Sequence, residues 1–337
     1  MKDSLVQSFT SANSLPMKIF RNLDLVHSIV NDKVVLPFHV QFNPTNRCTF
    51  EGSNACSFCS CENRPKKAVF PIDEIAVFVD TLKRLGCESM TVTGGGDPLL
   101  YPDLVGLAWA LRLAGIDVGL VTNGVKLASV GPTFFDIVTW IRISCSDELG
   151  KHTNLEKWTS SIRKVALAHK NVDWAFSYVM LKEKNFDFRP EVLRLANELD
   201  FTHVRFVNDL LDLPNSFVDP MVTLSCYFEA LKIDASRVVY QSRQDYTMGA
   251  KQCFISLLKP VVSAKGLLYP CCGVQYALAE PSRSYESSMC MGHWTDLPEL
   301  IEKQKFFDGS NCVRCYYDNY NDLLGWLLSD YVHERFV

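Results

Sequence analysis

The segment Asn46–Arg64, "NRCTFEGSNACSFCSCENR", places Cys48, Cys56, Cys59 and Cys61 within fourteen residues. Thiols so spaced can pair as disulfides, close around a zinc ion, or hold an iron–sulfur cluster. The chain has thirteen cysteines, an odd number. Its opening, "MKDSLVQSFTSANSLPMKIF", lacks the apolar run of a secretory signal. The expectation is a cytoplasmic, reducing setting, where a disulfide framework does not persist. In a zinc knuckle, Cys48 and Cys61 would have to complete the Cys56–Cys59 pair, and such a closed site is structural. Three thiolates on a four-iron cluster would instead leave one iron open to a ligand.

The surrounding elements say where this loop sits. "FHVQFN" (38–43) alternates as a strand and delivers the chain into the cysteines. "PIDEIAVFVDTLKRLG" (71–86) carries Pro and acids at its start and Lys83, Arg84 and Gly86 at its end, the charge order of a helix. "SMTVTGGG" is a strand running into a glycine loop, with a helix expected from Pro102 to Ala114. "DVGLVTNG" is the third strand, and "DIVTWIRISCS", "VDWAFSYVML" and "HVRFVND" are the next three, separated by helical runs. Strand and helix in strict alternation predict βαβ units and a parallel sheet. Six strands are too few for a closed eight-stranded barrel, so the fold expected is α/β, a partial (β/α)6 barrel. Ligands of parallel α/β folds bind at the C-terminal ends of the strands. The cysteines, the glycine run and "TNG" all fall on that rim.

Composition sets outer limits. The 337 residues are 47% hydrophobic and 21% charged, ordinary for a globular enzyme, with a formal charge of −4 from 34 basic and 38 acidic residues. That total makes no general case for nucleic-acid binding. No stretch reaches the roughly 18 uncharged apolar residues of a spanning helix, so no membrane role is expected. Past residue 235 the alternation ends. Cysteines then recur at 253, 271, 272, 290, 312 and 315. The domain reading is a 1–35 N-terminal extension, a 36–235 barrel, and a 236–337 module whose small core is stapled by metal.

At this point the chain resembles the radical S-adenosylmethionine (radical SAM) superfamily. Its signature, C-x3-C-x-aromatic-C after the first barrel strand, is matched by Cys56-Ser-Phe58-Cys59 preceded by Cys48. The first gap here is seven residues rather than three, a four-residue insertion. The resemblance implies Cys48, Cys56 and Cys59 as ligands of a SAM-binding [4Fe–4S] cluster, with Cys61 a spare. "TGGGDP" (93–98) resembles the family's Gly-Gly-Glu motif, which implies that Gly94, Gly95, Gly96 and Asp97 hold the amino group of SAM, Asp standing where Glu is usual. "TNG" (122–124) and "IRISCSD" (141–147) resemble the loops ending strands three and four, which implies SAM contacts from Thr122, Asn123, Arg142 and Ser144. Phe58 fills the signature's aromatic slot. These matches span residues 36–210.

The C-terminal cysteines extend the resemblance. Cys253-x12-Gly266-x4-Cys271 and Cys312-x2-Cys315 look like a twitch/SPASM-like iron–sulfur module. This implies one auxiliary cluster of the four-iron type on Cys253, Cys271, Cys312 and Cys315, with Cys272 the alternate to Cys271. Cys87, Cys145 and Cys226 lie in apolar segments and read as buried thiols; His152 and His293 read as structural or solvent-facing, Cys290 is unassigned, and Trp109, Trp140 and Trp158 read as core. The chemistry implied is an oxygen-sensitive reductive cleavage of SAM to a 5′-deoxyadenosyl radical, which takes a hydrogen atom from a substrate carbon, with flavodoxin or ferredoxin as electron donor. No catalytic acid or base is assigned. The 35 residues ahead of the first strand are too few for the peptide-recognition domain of peptide-modifying relatives, and a single-cluster relative dehydrogenates an aminocyclitol. A small polar or nucleoside-type substrate is therefore expected. A nucleic-acid base, as in bacteriophage base modification, or a peptide is the alternative. Outside enzymology, the alternatives are an electron-transfer protein and a zinc- or iron–sulfur-stabilised binding protein.

Overall fold

A computed structural model describes residues 16–181, 187–211, 220–241, 247–280, 282–285 and 287–330. Residues 1–15 of the expected N-terminal extension lie outside the described residues. The six expected strands form as β1 (His39–Phe42), β2 (Ser89–Val92), β3 (Asp117–Thr122), β4 (Trp140–Ser146), β5 (Asp173–Met180) and β6 (His203–Asn208). They pair in sequence order, all parallel. A further strand, β7 (Val238–Gln241), adds in parallel to β6. Only four residues long, it carries little periodic signal of its own. On the other flank β8 (Val261–Val262) runs parallel to β1, and β9 (Leu267–Tyr269) and β10 (Gly292–His293) follow antiparallel. The sheet order is β10-β9-β8-β1-β2-β3-β4-β5-β6-β7, with edges at β10 and β7. It is an open, mainly parallel α/β sheet that runs across residue 235.

The two faces of this sheet differ in chemistry. Val40, Phe42, Met90, Val92, Ile141, Ile143, Phe176, Tyr178, Val204 and Phe206 are buried on the helix-covered face. Phe42 meets Phe70 and Phe78 at centroid distances of 5.0 Å, and Trp294 stacks edge-on against Phe78 at 5.4 Å. Trp294 also donates to Glu74 at 3.0 Å, so the β10 segment is fixed to the helix Ile75–Arg84. The opposite face carries Gln41, Thr91, Arg142, Ser177 and Arg205 into one cavity. Strands buried on both faces usually read as unbroken apolar runs; these alternate because their inner face is polar.

Local signals set the element ends. The helix expected from Pro102 starts at Leu104, because the Asp103 side chain accepts from Gly106 N at 3.0 Å and caps it there. Gly115, at φ +79°, closes it in the left-handed region. Three readings of buried residues, those of Trp109, Cys226 and Trp140, are corrected. Trp109 is 44% exposed, since it lies on the outward side of that helix, and Cys226 is exposed on the helix Pro220–Ala230. Cys87, Cys145 and Trp158 are buried. Trp140 faces the cavity, its ring fitting over Gly119, where a side chain would come within 2.1 Å of it. Among the described residues no helix is long and apolar enough to cross a membrane.

Candidate functional site

The cysteine loop leaves β1 and is braced at both ends. Asn46 N donates to Ala68 O at 2.9 Å, and Thr45 pairs with Val69. The buried Arg64 threads back through the loop, donating from Nε to Asn46 O (2.8 Å) and from Nη1 to Cys61 O (2.6 Å) and Cys59 Sγ (3.7 Å). Sequence reasoning gave Arg64 no role; its only signal was a basic residue at the end of the cysteine run. The four-residue insertion is also packed. Phe50 stacks on His152 at 4.6 Å, Glu51 accepts from Cys48 N at 2.7 Å, and Asn54 shares a 3.1 Å hydrogen bond with His152. Glu148 accepts from Ser57 N at 2.9 Å, so the turn after β4 carries the same loop. His152 is thus a bracing group.

The glycine run after β2 lies directly against this loop. Gly96 N donates to Thr45 O at 3.0 Å, and Asp97 N to Arg47 O at 2.7 Å. A Cβ on Gly96 would fall 2.0 Å from Arg47 O, and one on Gly95 2.0 Å from Asn46 Oδ1. Glycine is required because two backbones meet here. Asp97 is only 3% exposed. Its carboxylate accepts from Leu99 N (2.9 Å), the Thr122 hydroxyl (2.9 and 3.0 Å) and Asn123 N (2.8 Å). Burial pushes its carboxyl above the usual aspartate value, while these donors pull it down. Aspartate is one methylene shorter than glutamate, and its oxygens are taken up within the chain, tying the end of β2 to the end of β3.

One cavity of about 890 Å³ collects most of the expected site. It is lined by Cys48, Cys56, Phe58 and Cys59 from the loop, by Gly94 to Asp97, by Thr122 and Asn123, and by Arg142 and Ser144. Asn123 Nδ2 points at Cys48 Sγ from 3.9 Å and donates to Thr49 at 2.9 Å. Trp158 Nε1 holds Asn123 O at 2.9 Å, and Gly124, at φ +77°, makes the turn. Ser144 stands near the rim, but the Arg142 guanidinium rests on the Trp140 ring at 5.2 Å, two residues back toward the start of β4. Cys61 also borders the cavity; buried, it accepts from Gln275 Nε2 at 3.4 Å.

A second, smaller pocket is lined by Cys253, Cys271, Cys312 and Cys315. Cys253 N donates to Phe307 O (2.9 Å), Cys315 N to Thr247 O (2.9 Å) and Gly249 N to Cys312 O (2.8 Å), so two distant segments are laced together around the thiols. Gly266, at φ +75°, turns the β8–β9 hairpin. The adjacent cysteines 271 and 272 part here. Cys271 lines this pocket, while Cys272 lines the large cavity and sits 3.1 Å from the Tyr317 hydroxyl. Cys290 borders neither, donating to Gly292 O at 3.4 Å.

Several of these thiols already have hydrogen-bond donors. Among the described residues no three His, Cys, Asp or Glu side chains converge as one metal ion requires. N–H donors already point at the sulfurs: Phe50 N at Cys48 (3.4 Å), Arg64 at Cys59 (3.7 Å) and Gly273 N at Cys271 (3.3 Å), the kind of contact that tunes iron–sulfur sites. Burial and then the neighbouring thiols Cys59 and Cys48 push Cys56 up to about 12, so loading metal must displace protons.

Comparison with known proteins follows the same residues. Residues 42–196 match the family model for the "Radical SAM superfamily". A GTP 3',8-cyclase of Staphylococcus saprophyticus is 30% identical over 118 residues, 32% of this chain and 33% of that protein; the chain thus matches about a third of the length of such curated relatives. Streptococcus suis SuiB bound to the precursor peptide SuiA superposes with a TM-score of 0.58 at 12% identity, over 90% of this chain and 82% of that one. The enzyme anSMEcpe with bound AdoMet gives 0.52 at 14%, over 89% and 82%. At such identities these structures speak for the fold alone. Residues 42–196, which contain Cys48, Cys56, Cys59 and the glycine run, thus match the model of an enzyme superfamily, the radical SAM superfamily, over a little under half of the chain.

Proposed function

We propose that this protein is a radical SAM enzyme acting on a small polar or nucleoside-type substrate. The observation that supports it most is the meeting of Cys48, Cys56 and Cys59 with Gly94–Asp97, Asn123 and Ser144 around one cavity. In this reading those three thiolates hold a [4Fe–4S] cluster, and Cys253, Cys271, Cys312 and Cys315 hold an auxiliary one. The first cluster, when bound, supplies the electron that splits SAM to methionine and a 5′-deoxyadenosyl radical. The chain's own share is positioning and exclusion of water. In this reading Gly94–Gly96 line the cavity where the amino group of SAM would lie, Asn123 and Ser144 stand at the rim for its polar edges, and Phe58 lines the cavity beside Cys59. Asp97 fixes the glycine loop. Flavodoxin or ferredoxin is the electron donor that such chemistry calls for. The relative named GTP 3',8-cyclase favours a nucleoside-type substrate; the peptide seen with SuiB keeps a peptide as the second reading.

Asp97→Asn tests the positioning part. One carboxylate oxygen becomes an NH2 facing backbone donors, which costs about 1–3 kcal/mol. SAM binding is expected to weaken by about tenfold, with a lower melting temperature and unchanged iron content. Wild-type SAM affinity in that variant would remove Asp97 from the site.

A further inference from the structure

The chain that follows β9 is clamped to the cysteine loop. Asn63 N donates to Arg283 O (3.0 Å), Asn63 Nδ2 to Ser282 O (2.6 Å) and Arg283 Nη1 to Glu62 Oε2 (2.6 Å). Arg283 N in turn donates to Gln275 O at 3.4 Å. These contacts hold Gln275 at the wall of the large cavity, where it is only 4% exposed. Its Nε2 donates to Cys61 Sγ at 3.4 Å, and Cys61 Sγ lies 4.0 Å from Gly94 O. Two contacts thus link this amide to the first residue of the glycine run. Its Oε1 is buried and has no hydrogen-bond partner. A buried acceptor left unpaired costs free energy, which a donor on a bound ligand recovers.

We propose that Gln275 Oε1 is an acceptor for the amino group of SAM, so that a side chain from outside residues 42–196 completes that end of the site. The proposal rests on the radical SAM reading of the cavity. An ammonium group carries three N–H donors and calls for several acceptors. Asp97 is already engaged: Oδ1 accepts from Leu99 N and Oδ2 from Asn123 N, with the Thr122 hydroxyl against both. Gln275 has an unpaired oxygen and lines the same cavity as Gly94, Gly95 and Gly96. Cys61 holds the other end of its amide, so little side-chain freedom is left to lose on binding. A neutral amide oxygen can also stay buried without a partner at far smaller cost than a carboxylate. That suits a group whose partner arrives with the ligand.

Iron-loaded protein should be titrated anaerobically by calorimetry with SAM, S-adenosylhomocysteine and 5′-methylthioadenosine. The last keeps the adenosine and the thioether but has no amino acid. Wild type is expected to bind the first two more tightly than the third. Gln275→Met, which is close to glutamine in shape, should weaken SAM and S-adenosylhomocysteine by about tenfold or more. It should leave 5′-methylthioadenosine affinity and iron content unchanged. Gln275→Glu keeps an oxygen at the same reach and should retain SAM affinity. Equal loss for all three ligands in Gln275→Met would mark a structural role and overturn the proposal. Full SAM affinity in that variant, or lost SAM affinity in Gln275→Glu, would do the same. So would a wild type that binds 5′-methylthioadenosine as tightly as S-adenosylhomocysteine, a comparison that needs no variant to fold. Failure of the wild type to bind SAM at all would strike the radical SAM reading instead.

Discussion

Changing Cys48, Cys56 and Cys59 together to alanine should lower bound iron from roughly eight atoms per chain to about half and abolish SAM cleavage. The expectation follows from the placement of the two thiol sets. The first three line the large cavity, and the other four line a separate pocket. The variant should fold, because the loop is held by contacts that do not use these sulfurs: Arg64 on Asn46 O and Cys61 O, Phe50 on His152, and Glu148 on Ser57 N. The auxiliary thiols are laced by backbone bonds of their own. Iron analysis and anaerobic absorbance would follow the loss. Full iron with retained SAM cleavage in the triple variant would remove these residues from the centre.

The second large effect concerns the other pocket. Cys312→Ala/Cys315→Ala should also lose about half of the iron, yet continue to form 5′-deoxyadenosine. The reason is that no residue of the Gly94–Asp97 and Asn123 group depends on Cys312 or Cys315 for a hydrogen bond. On the proposal that the auxiliary cluster takes up the electron of the substrate radical, the variant should lose completed product. The pocket joins residues 247–253 to 307–315 through Thr247–Cys315 and Cys253–Phe307 pairing, so metal loss can loosen it. Circular dichroism and gel filtration near wild type are therefore the condition for the assay. Deoxyadenosine falling in parallel with product in a folded variant would assign the auxiliary site to structure or docking.

Much of this was legible because it is local. Strand and helix alternation gave the parallel sheet, and the charge order of "PIDEIAVFVDTLKRLG" gave a helix that forms over Ile75–Arg84 behind a short turn. The cysteine and glycine motifs fall on one rim because both follow strands of the same parallel sheet. What stayed hidden depends on contacts between distant residues. Arg64 is one basic residue among many until its guanidinium is seen buried beneath the cysteine loop. His152 became a brace only when Phe50 and Asn54 met it from about a hundred positions away. Trp109 reads as core by residue type, yet its helix face turns to solvent. Arg142, Arg205 and Lys259 line one cavity although they come from β4, β6 and the segment before β8, a meeting that no local pattern signals. The parting of Cys271 from Cys272 is a matter of backbone direction, which spacing alone does not set.

The most direct test is formation of 5′-deoxyadenosine. Anaerobically purified, iron- and sulfide-loaded protein would be mixed with SAM and dithionite, and the nucleoside quantified by mass spectrometry. The expected result is at least about one equivalent per chain, dependent on reductant and absent from the Cys48/Cys56/Cys59 triple variant, since the open iron of a three-thiolate cluster is where SAM must bind. Protein that instead carries stoichiometric zinc, or that is fully loaded with iron, binds SAM and yields no deoxyadenosine, would contradict it.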